Sequence, residues 1–326
     1  MFREYTNSLN ANIYANAARE LGFDIKVISK EIAFLKIKKG NKESYILGNI
    51  LDFNLRLPSA IAKNKYATNL LFKLSFPDLF VEQYYLKLDD KDKYQKAYDY
   101  CKSKNYEVVI KPVDISCGHG VSILPRNDEE VAEAINNIIK GDNDILIEEY
   151  IQASNEYRVL IVKNQAVDVL KRIPCTVQGD GKSNIRKLIN KENEFRIKHN
   201  FALINADKKM KDYLKQQGKT INFTPAEKEF IRLRQECSFD QGGVVVRVDL
   251  KRINPQLLKT FIETAKASKL NYIGLDIMGG ELESGNIICY KINEINDAAM
   301  MDIHYYADLI EKRPLCTAKK VIGMLW

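Results

Sequence analysis

Tyr290-Lys291-Ile292-Asn293-Glu294-Ile295-Asn296 is the stretch from which the fold of this 326-residue chain can be read. It has the pattern of a strand, and residues two apart on a strand project to one face. Glu294 and Asn296 therefore share a face. A carboxylate and an amide are hard oxygen donors of the kind Mg²⁺ takes. A second acidic strand, Tyr272-Ile273-Gly274-Leu275-Asp276-Ile277-Met278, lies just upstream. If the two pair, Asp276 joins the same face. Acids at strand ends are more often solvated than metal-bound, so the reading depends on the rest of the chain.

Working outward, Glu107-Val108-Val109-Ile110-Lys111-Pro112-Val113 is a buried strand ending in a lysine. It runs into a hairpin whose turn contains Gly118-His119-Gly120. Glycines let the backbone approach a ligand closely, and successive N–H groups there can cradle phosphate oxygens. The spacing fits neither a Walker A loop nor a Rossmann fingerprint, and an ordinary hairpin turn has the same composition. Asp144 to Ile151 is a strand that exits into Glu148-Glu149-Tyr150-Ile151. The next strands are Asn155 to Val162, which carries Glu156 and Arg158, and Ala166 to Pro174, which carries Arg172. A lysine before a glycine loop, an acidic strand exit and a late acid/Asn strand pair have one common explanation. A nucleoside triphosphate with Mg²⁺ uses lysines and loop amides for its phosphates and acids for the bridging metal.

The remaining pattern is α/β with mainly antiparallel strands, because the hairpins are too close in sequence for βαβ crossovers. Leu9, Ile13, Ala17 and Leu21 predict a helix over 8–22 closed by Gly22. Ser59 is positioned to cap a helix reaching about Lys73. Helices are also expected over 127–140, from Ser183 to about Lys198, from a cap at Asn254 to about Leu270, and over 305–311. The segment 205–230 is charged and poorly patterned, which predicts an exposed insertion.

Composition narrows the class. Hydrophobic content of 45% with 29% charged residues is that of an ordinary globular protein. No apolar run is long enough to span a bilayer, and Met1-Phe2-Arg3-Glu4-Tyr5 lacks the apolar segment of a secretory signal. A cytoplasmic location is the expectation. The six cysteines are widely spaced, predicting free thiols rather than a disulfide framework or zinc site. The net charge of +7 is spread along the chain, which suits an anionic ligand better than a nucleic-acid arm.

The order of these motifs resembles the ATP-grasp superfamily, and within it the ATP-grasp portions of cyanophycin synthetase and of bifunctional glutamate–cysteine ligase/glutathione synthetase. Further marks are the Ser59–Thr68 segment, Arg172-Ile173-Pro174 followed by Gly179-Asp180-Gly181, Leu233-Arg234, Gly242-Gly243 and Gly274-Leu275-Asp276. The resemblance implies an α+β, ATP-grasp fold: two α/β subdomains with antiparallel sheets enclosing a nucleotide. A short N-terminal α/β unit over 1–57 would precede an ATP-grasp domain over 58–326. Within that domain, about 74–147 would form a lid, and about 148–326 the metal- and substrate-binding part.

The resemblance also implies roles. Lys65 and Lys111 match lysines at the phosphates and the adenine side; Gly118, His119 and Gly120 match the lid over the triphosphate. Glu148, Glu149, Tyr150 and Ile151 match the hinge beside adenine, with Glu149 an alternative hinge acid because one extra residue precedes Glu156, the ribose acid. Asp276, Glu294 and Asn296 match the Mg²⁺ ligands. Lys111 and Arg234 are the expected catalytic residues, Arg234 near the transferred phosphate, and Arg158 and Arg172 are candidate substrate contacts. The implied reaction is ATP-dependent ligation of a carboxylate to an amine through an acyl phosphate, on an amino acid or peptide. Expected partners are those carboxylate and amine substrates and a second copy in a homodimer, with no nucleic acid and no membrane.

Two departures from the subgroup concern the substrate side. Leu233-Arg234-Gln235-Glu236-Cys237-Ser238-Phe239-Asp240-Gln241-Gly242-Gly243 stands where an Arg-Arg-Asn-rich segment is usual, and Asp297-Ala298-Ala299-Met300-Met301 replaces Ala-Ala-Pro-Gly. They keep open two alternatives: an ATP-binding regulatory pseudoenzyme, and a kinase releasing a stable phosphorylated product.

Overall fold

A computed structural model of the chain describes residues 2–115, 120–153, 155–283 and 290–326. It begins with α1 (Leu9–Glu20), inside the predicted span, whose cap Ser8 accepts a hydrogen bond from the Ala11 N–H at 3.4 Å. An antiparallel meander follows: β1 (Asp24–Ser29), β2 (Phe34–Lys39), β3 (Lys42–Leu47) and β4 (Ile50–Leu51).

The single helix expected from Ser59 to Lys73 is two helices, α2 (Arg56–Lys63) and α3 (Lys65–Lys73), and Ser59 lies inside the first. Asn64 divides them. Its backbone is extended, and its side chain caps α3 by accepting from the Ala67 N–H at 2.8 Å. Asparagine competes with the helical backbone in a helix interior but satisfies an orphan donor at a cap. The break makes Lys65 the first residue of α3 rather than a mid-helix lysine.

A second four-stranded sheet comprises β5 (Gln83–Leu86), β6 (Val108–Pro112), β7 (Ser122–Ile123) and β8 (Ile145–Glu149) in the order β5-β8-β6-β7. The intervening helices α4 (Lys93–Ser103) and α5 (Asp128–Ile139) pack on it through Ala97, Cys101, Val131 and Ile135.

The larger sheet is antiparallel, ordered β13-β10-β9-β14-β15, from β9 (Asn155–Val162), β10 (Gln165–Ile173), β13 (Val244–Arg247), β14 (Tyr272–Gly279) and β15 (Lys291–Asn296). Alternation divides its faces. Tyr157, Val159, Ile161, Leu275 and Ile277 meet α8 (Pro255–Ser268), which is capped by Asn254. Leu160, Val162 and Tyr272 join a core with α1, α9 (Asp302–Ile310) and α10 (Cys316–Gly323). Arg158 and Asp276 alternate in register with this second set, so their side chains leave on the same face. A buried network also fastens that layer. Asp168 of β10 meets the fully buried His304 Nδ1 at 2.7 Å, and Arg247 of β13 donates to Asp308 at 2.8 Å.

Two further expectations are corrected by the fold. The last helical region starts at Asp302 and a further helix, α10, follows it. The 205–230 segment is not simply an exposed insertion. Together with β11 (Thr176–Gln178), α6 (Ile185–Lys198), α7 (Lys208–Gln216) and β12 (Phe230–Arg232), it closes around its own core of Met210, Leu214, Ile221, Ile231 and Leu233. Its short apolar spacings are masked by lysines that stay in solvent. Among the described residues Cys101, Cys175, Cys237 and Cys316 are free thiols.

Candidate active site

Three strands bring the central charges into one row. Arg158 on β9 lies opposite Asp276 on β14, and Asp276 lies opposite Glu294 on β15. Asn296 is the next same-face residue of β15, and its amide donates to Asp276 Oδ2 at 3.4 Å. Strand pairing therefore places the three expected metal ligands together. Two carboxylates and an amide oxygen suit Mg²⁺, which takes a few protein oxygens and retains waters.

Asp276 also has basic partners. Its carboxylate takes a hydrogen bond from Arg158 Nε, a second from Arg158 Nη2 at 3.1 Å, and one from Arg172 Nη1 at 3.2 Å. Burial alone would push this carboxyl up, but the Arg158 and Arg172 guanidiniums carry it below the usual carboxylate range. The two candidate substrate arginines are thus gathered on an expected metal ligand. Arg172 further donates to the Cys237 carbonyl at 2.8 Å, which ties the altered 233–243 segment to the site. Glu156, same-face neighbour of Arg158, is pushed up by burial, with Arg172 offsetting part of the effect.

Gly274 makes the arginine's placement feasible. A Cβ there would stand 3.1 Å from Arg158 Cδ and Nη1 and 2.9 Å from Ala299 Cβ. The glycine in Gly274-Leu275-Asp276 leaves room for the side chain that reaches Asp276.

The β5-β8-β6-β7 sheet supplies a second charged group. Lys111 Nζ lies 2.5 Å from Glu148 Oε2, with both side chains almost fully buried. Gln83, paired with Glu148 across β5 and β8, donates to Glu148 Oε1 at 2.5 Å. Glu148, expected at the hinge beside adenine, pairs its carboxylate with Lys111, while Glu149, the alternative hinge acid, is exposed. Sequence reasoning missed Gln83, since a glutamine on a short strand carries no signal of its own. Its Oε1 is buried without a hydrogen-bond partner, so an amino group on a ligand would satisfy it. This orphan acceptor belongs to a residue that lines the small cleft with Lys65 and Glu294, and an amino group of a nucleotide base would suit it.

Lys65 links the two sides. Its Nζ donates to the Ile115 carbonyl at 2.7 Å and lies 3.4 Å from Glu294 Oε1. Ala62, Thr68, Phe80, Gln83 and Ile292 line the small cleft around it. Gly120 adopts φ +74° in the turn after β6; Gly118 and His119 lie outside the described residues. The Tyr150 N–H donates to the Glu107 carbonyl at 2.9 Å, and Ile151 follows it at the exit from β8. Arg234 is not brought to this cluster by any contact in the described residues. It is buried and donates to Asp207 Oδ2 at 2.7 Å and to the Asn205 carbonyl at 3.0 Å.

Comparison with known proteins agrees with this architecture. The family model for the prokaryotic glutathione synthetase ATP-grasp domain matches residues 70–224. The glutathione biosynthesis bifunctional protein GshAB of Clostridium perfringens is 26% identical over 98% of this chain and 41% of its own length. Cyanophycin synthetase of Synechocystis is 30% identical over 68% of this chain and 26% of its own length. A bifunctional glutathione synthetase from Pasteurella multocida superposes with a TM-score of 0.70 at 20% identity, covering 99% of this chain and 44% of that one. These likenesses give the chain the ATP-grasp fold, and residues 70–224 are similar to the ATP-grasp domain of prokaryotic glutathione synthetase. The chain spans about two fifths of the length of the GshAB relatives. No helix among the described residues is long and apolar enough to cross a membrane.

Proposed function

We propose that this chain is an ATP-dependent carboxylate–amine ligase that forms an amide or peptide bond through an acyl phosphate. The observation that carries the reading is the charged row Arg158–Asp276–Glu294 with the Lys65 ammonium beside Glu294. Phosphoryl transfer to a carboxylate needs positioned charge more than a covalent nucleophile. Asp276, Glu294 and Asn296 would hold Mg²⁺, which when bound neutralises charge on the bridged phosphates. Lys65 and Lys111 would orient the phosphates, and Glu156 the ribose. Gly118, His119 and Gly120 would cover the phosphates, and the Glu148–Ile151 exit would flank adenine. Arg158 and Arg172, released from Asp276, would hold the substrate carboxylate as it becomes an acyl phosphate. A water-poor cleft protects that intermediate until the amine attacks and phosphate leaves.

The glutathione biosynthesis proteins among the relatives make a short peptide carboxylate with an amino-acid amine the first pairs to test. The protein is expected to release ADP and phosphate with ATP, Mg²⁺ and a panel of amino acids and dipeptides, giving an amide product by mass spectrometry. A stable phosphorylated product would assign a kinase instead. Tight ATP binding with no ADP formation on any pair would favour a regulatory pseudoenzyme. The engagement of Arg234 with Asp207 is the observation on that side.

A further inference from the structure

We infer that Asn10, Asn49 and Asn54 of the N-terminal unit are positioning residues for the substrate side of the site, acting through the backbone of residues 297–302. This rests on the ligase reading for what the segment faces, but the contacts themselves do not.

Asn54 uses its side-chain amide at four points. Its oxygen accepts from the Asn271 N–H at 2.7 Å and the Tyr272 N–H at 2.9 Å. Its nitrogen donates to the Tyr272 and Asp297 carbonyls, both at 2.7 Å. Two donors and two acceptor lone pairs are all that an asparagine amide has. One side chain therefore ties the start of β14 to the segment leaving β15. Asn49 donates to the Ala298 carbonyl at 2.9 Å.

Asn10 holds the far end. Helix α9 has no side-chain cap of its own, since its N-cap residue is Met301. Asn10 Oδ1, from α1, instead accepts from the buried Met301 N–H at 2.6 Å and the Asp302 N–H at 3.0 Å. A helix start that leaves its amides unpaired is costly when buried, so this cap supplied from another element fixes where the segment stops. Between these anchors the Tyr272 hydroxyl donates to the Ala299 carbonyl at 2.7 Å and meets the Tyr14 hydroxyl of α1 at 2.7 Å.

The anchored segment borders the arginine. Ala299 Cβ and the Arg158 side chain flank the same point above Gly274, at 2.9 and 3.1 Å. A shift of 297–302 therefore reaches Arg158, while the Lys111–Glu148–Gln83 group lies on a different sheet. The N-terminal unit is thereby coupled to the side of the site that meets carboxylate and amine rather than to the nucleotide side.

Asn10→Ala, Asn49→Ala and Asn54→Ala test this in the full chain, with Asn49→Ala as the variant that removes a single half-buried bond. Amide hydrogen exchange over 297–303 is expected to rise roughly tenfold in Asn10→Ala and Asn54→Ala, and less in Asn49→Ala, with 108–112 and 145–149 unchanged. The Kd for the Mg²⁺ complex of a non-hydrolysable ATP analogue is expected to stay within about twofold. For the best pair in the amino-acid and dipeptide panel, the substrate KM should rise while the ATP KM holds. Unchanged exchange at 297–303, or a loss of nucleotide affinity in step with the exchange, would overturn the inference. If the wild-type chain turns over no pair, the ligase reading fails, and exchange with nucleotide affinity still decides the positioning role.

Discussion

Asp302 offers the most direct test of the electrostatics behind the site. It opens α9, and its Oδ1 accepts from the Ile303 N–H at 2.8 Å. The residue is only 7% exposed. Burial, reinforced by the charge of Asp240, pushes its carboxyl up to about 7, with Arg158 offsetting only part. The unfolded chain ionises this group near its ordinary value of 3.8. Below about pH 4 both states are protonated and Asp302 costs nothing. Between about 4 and 7 the folded state keeps a proton that the unfolded state has lost, so stability falls as pH rises. Above about 7 the penalty is constant, and about three pH units correspond to roughly 4 kcal/mol. An asparagine in its place would be neutral at every pH and would retain an oxygen for the Ile303 N–H. Urea unfolding of wild type and Asp302→Asn at pH 5 and pH 8 should show the variant gaining stability over wild type as pH rises. The difference should widen by roughly 2–3 kcal/mol across that interval. A difference that stays flat, or narrows with pH, would refute the assignment of a buried, poorly compensated carboxyl beside Arg158.

Other perturbations separate metal, lid and packing. Glu294→Ala should abolish Mg²⁺-dependent ADP release while circular dichroism and the melting curve keep their native form; undiminished turnover would remove Glu294 from the metal set. Lys111→Met should leave Glu148 buried without its cation and cost about 3–5 kcal/mol in thermal or urea unfolding. The double variant with Glu148→Gln should recover much of that loss. Gly274→Ala should force Arg158 or Ala299 aside, costing about 1–3 kcal/mol and lowering kcat with an intact nucleotide Kd. A fully active, equally stable alanine variant would contradict the close packing above β14.

The elements carrying the charged row were legible because their signals are local. Glu294 and Asn296 sit two apart on a strand, the Gly274–Asp276 run pairs with it, and the cap at Asn254 announces its helix. Asn64 carried the same signal, but the apolar spacing continued across it, so the break between α2 and α3 was hidden. Helix α10 was missed because its N-cap is Leu315, a left-handed leucine without a side-chain cap, which no turn propensity flags. Most side-chain pairings were out of reach. Asn10 caps a helix 291 residues away in sequence, and Lys111 meets Glu148 only because β6 and β8 are neighbours in the sheet. Arg158 and Arg172 were visible as candidates for an anion, but not as two cations sharing Asp276.

Lys65 gives this arrangement a dynamic consequence. One ammonium donates to the Ile115 carbonyl beyond β6 and lies beside the Glu294 carboxylate of β15. The two sheets are therefore bridged in part by a flexible side chain. An incoming phosphate would compete for that ammonium with both of its present partners. A neutral residue at position 65 should accordingly change how fast the cleft admits a nucleotide as well as how tightly it holds one.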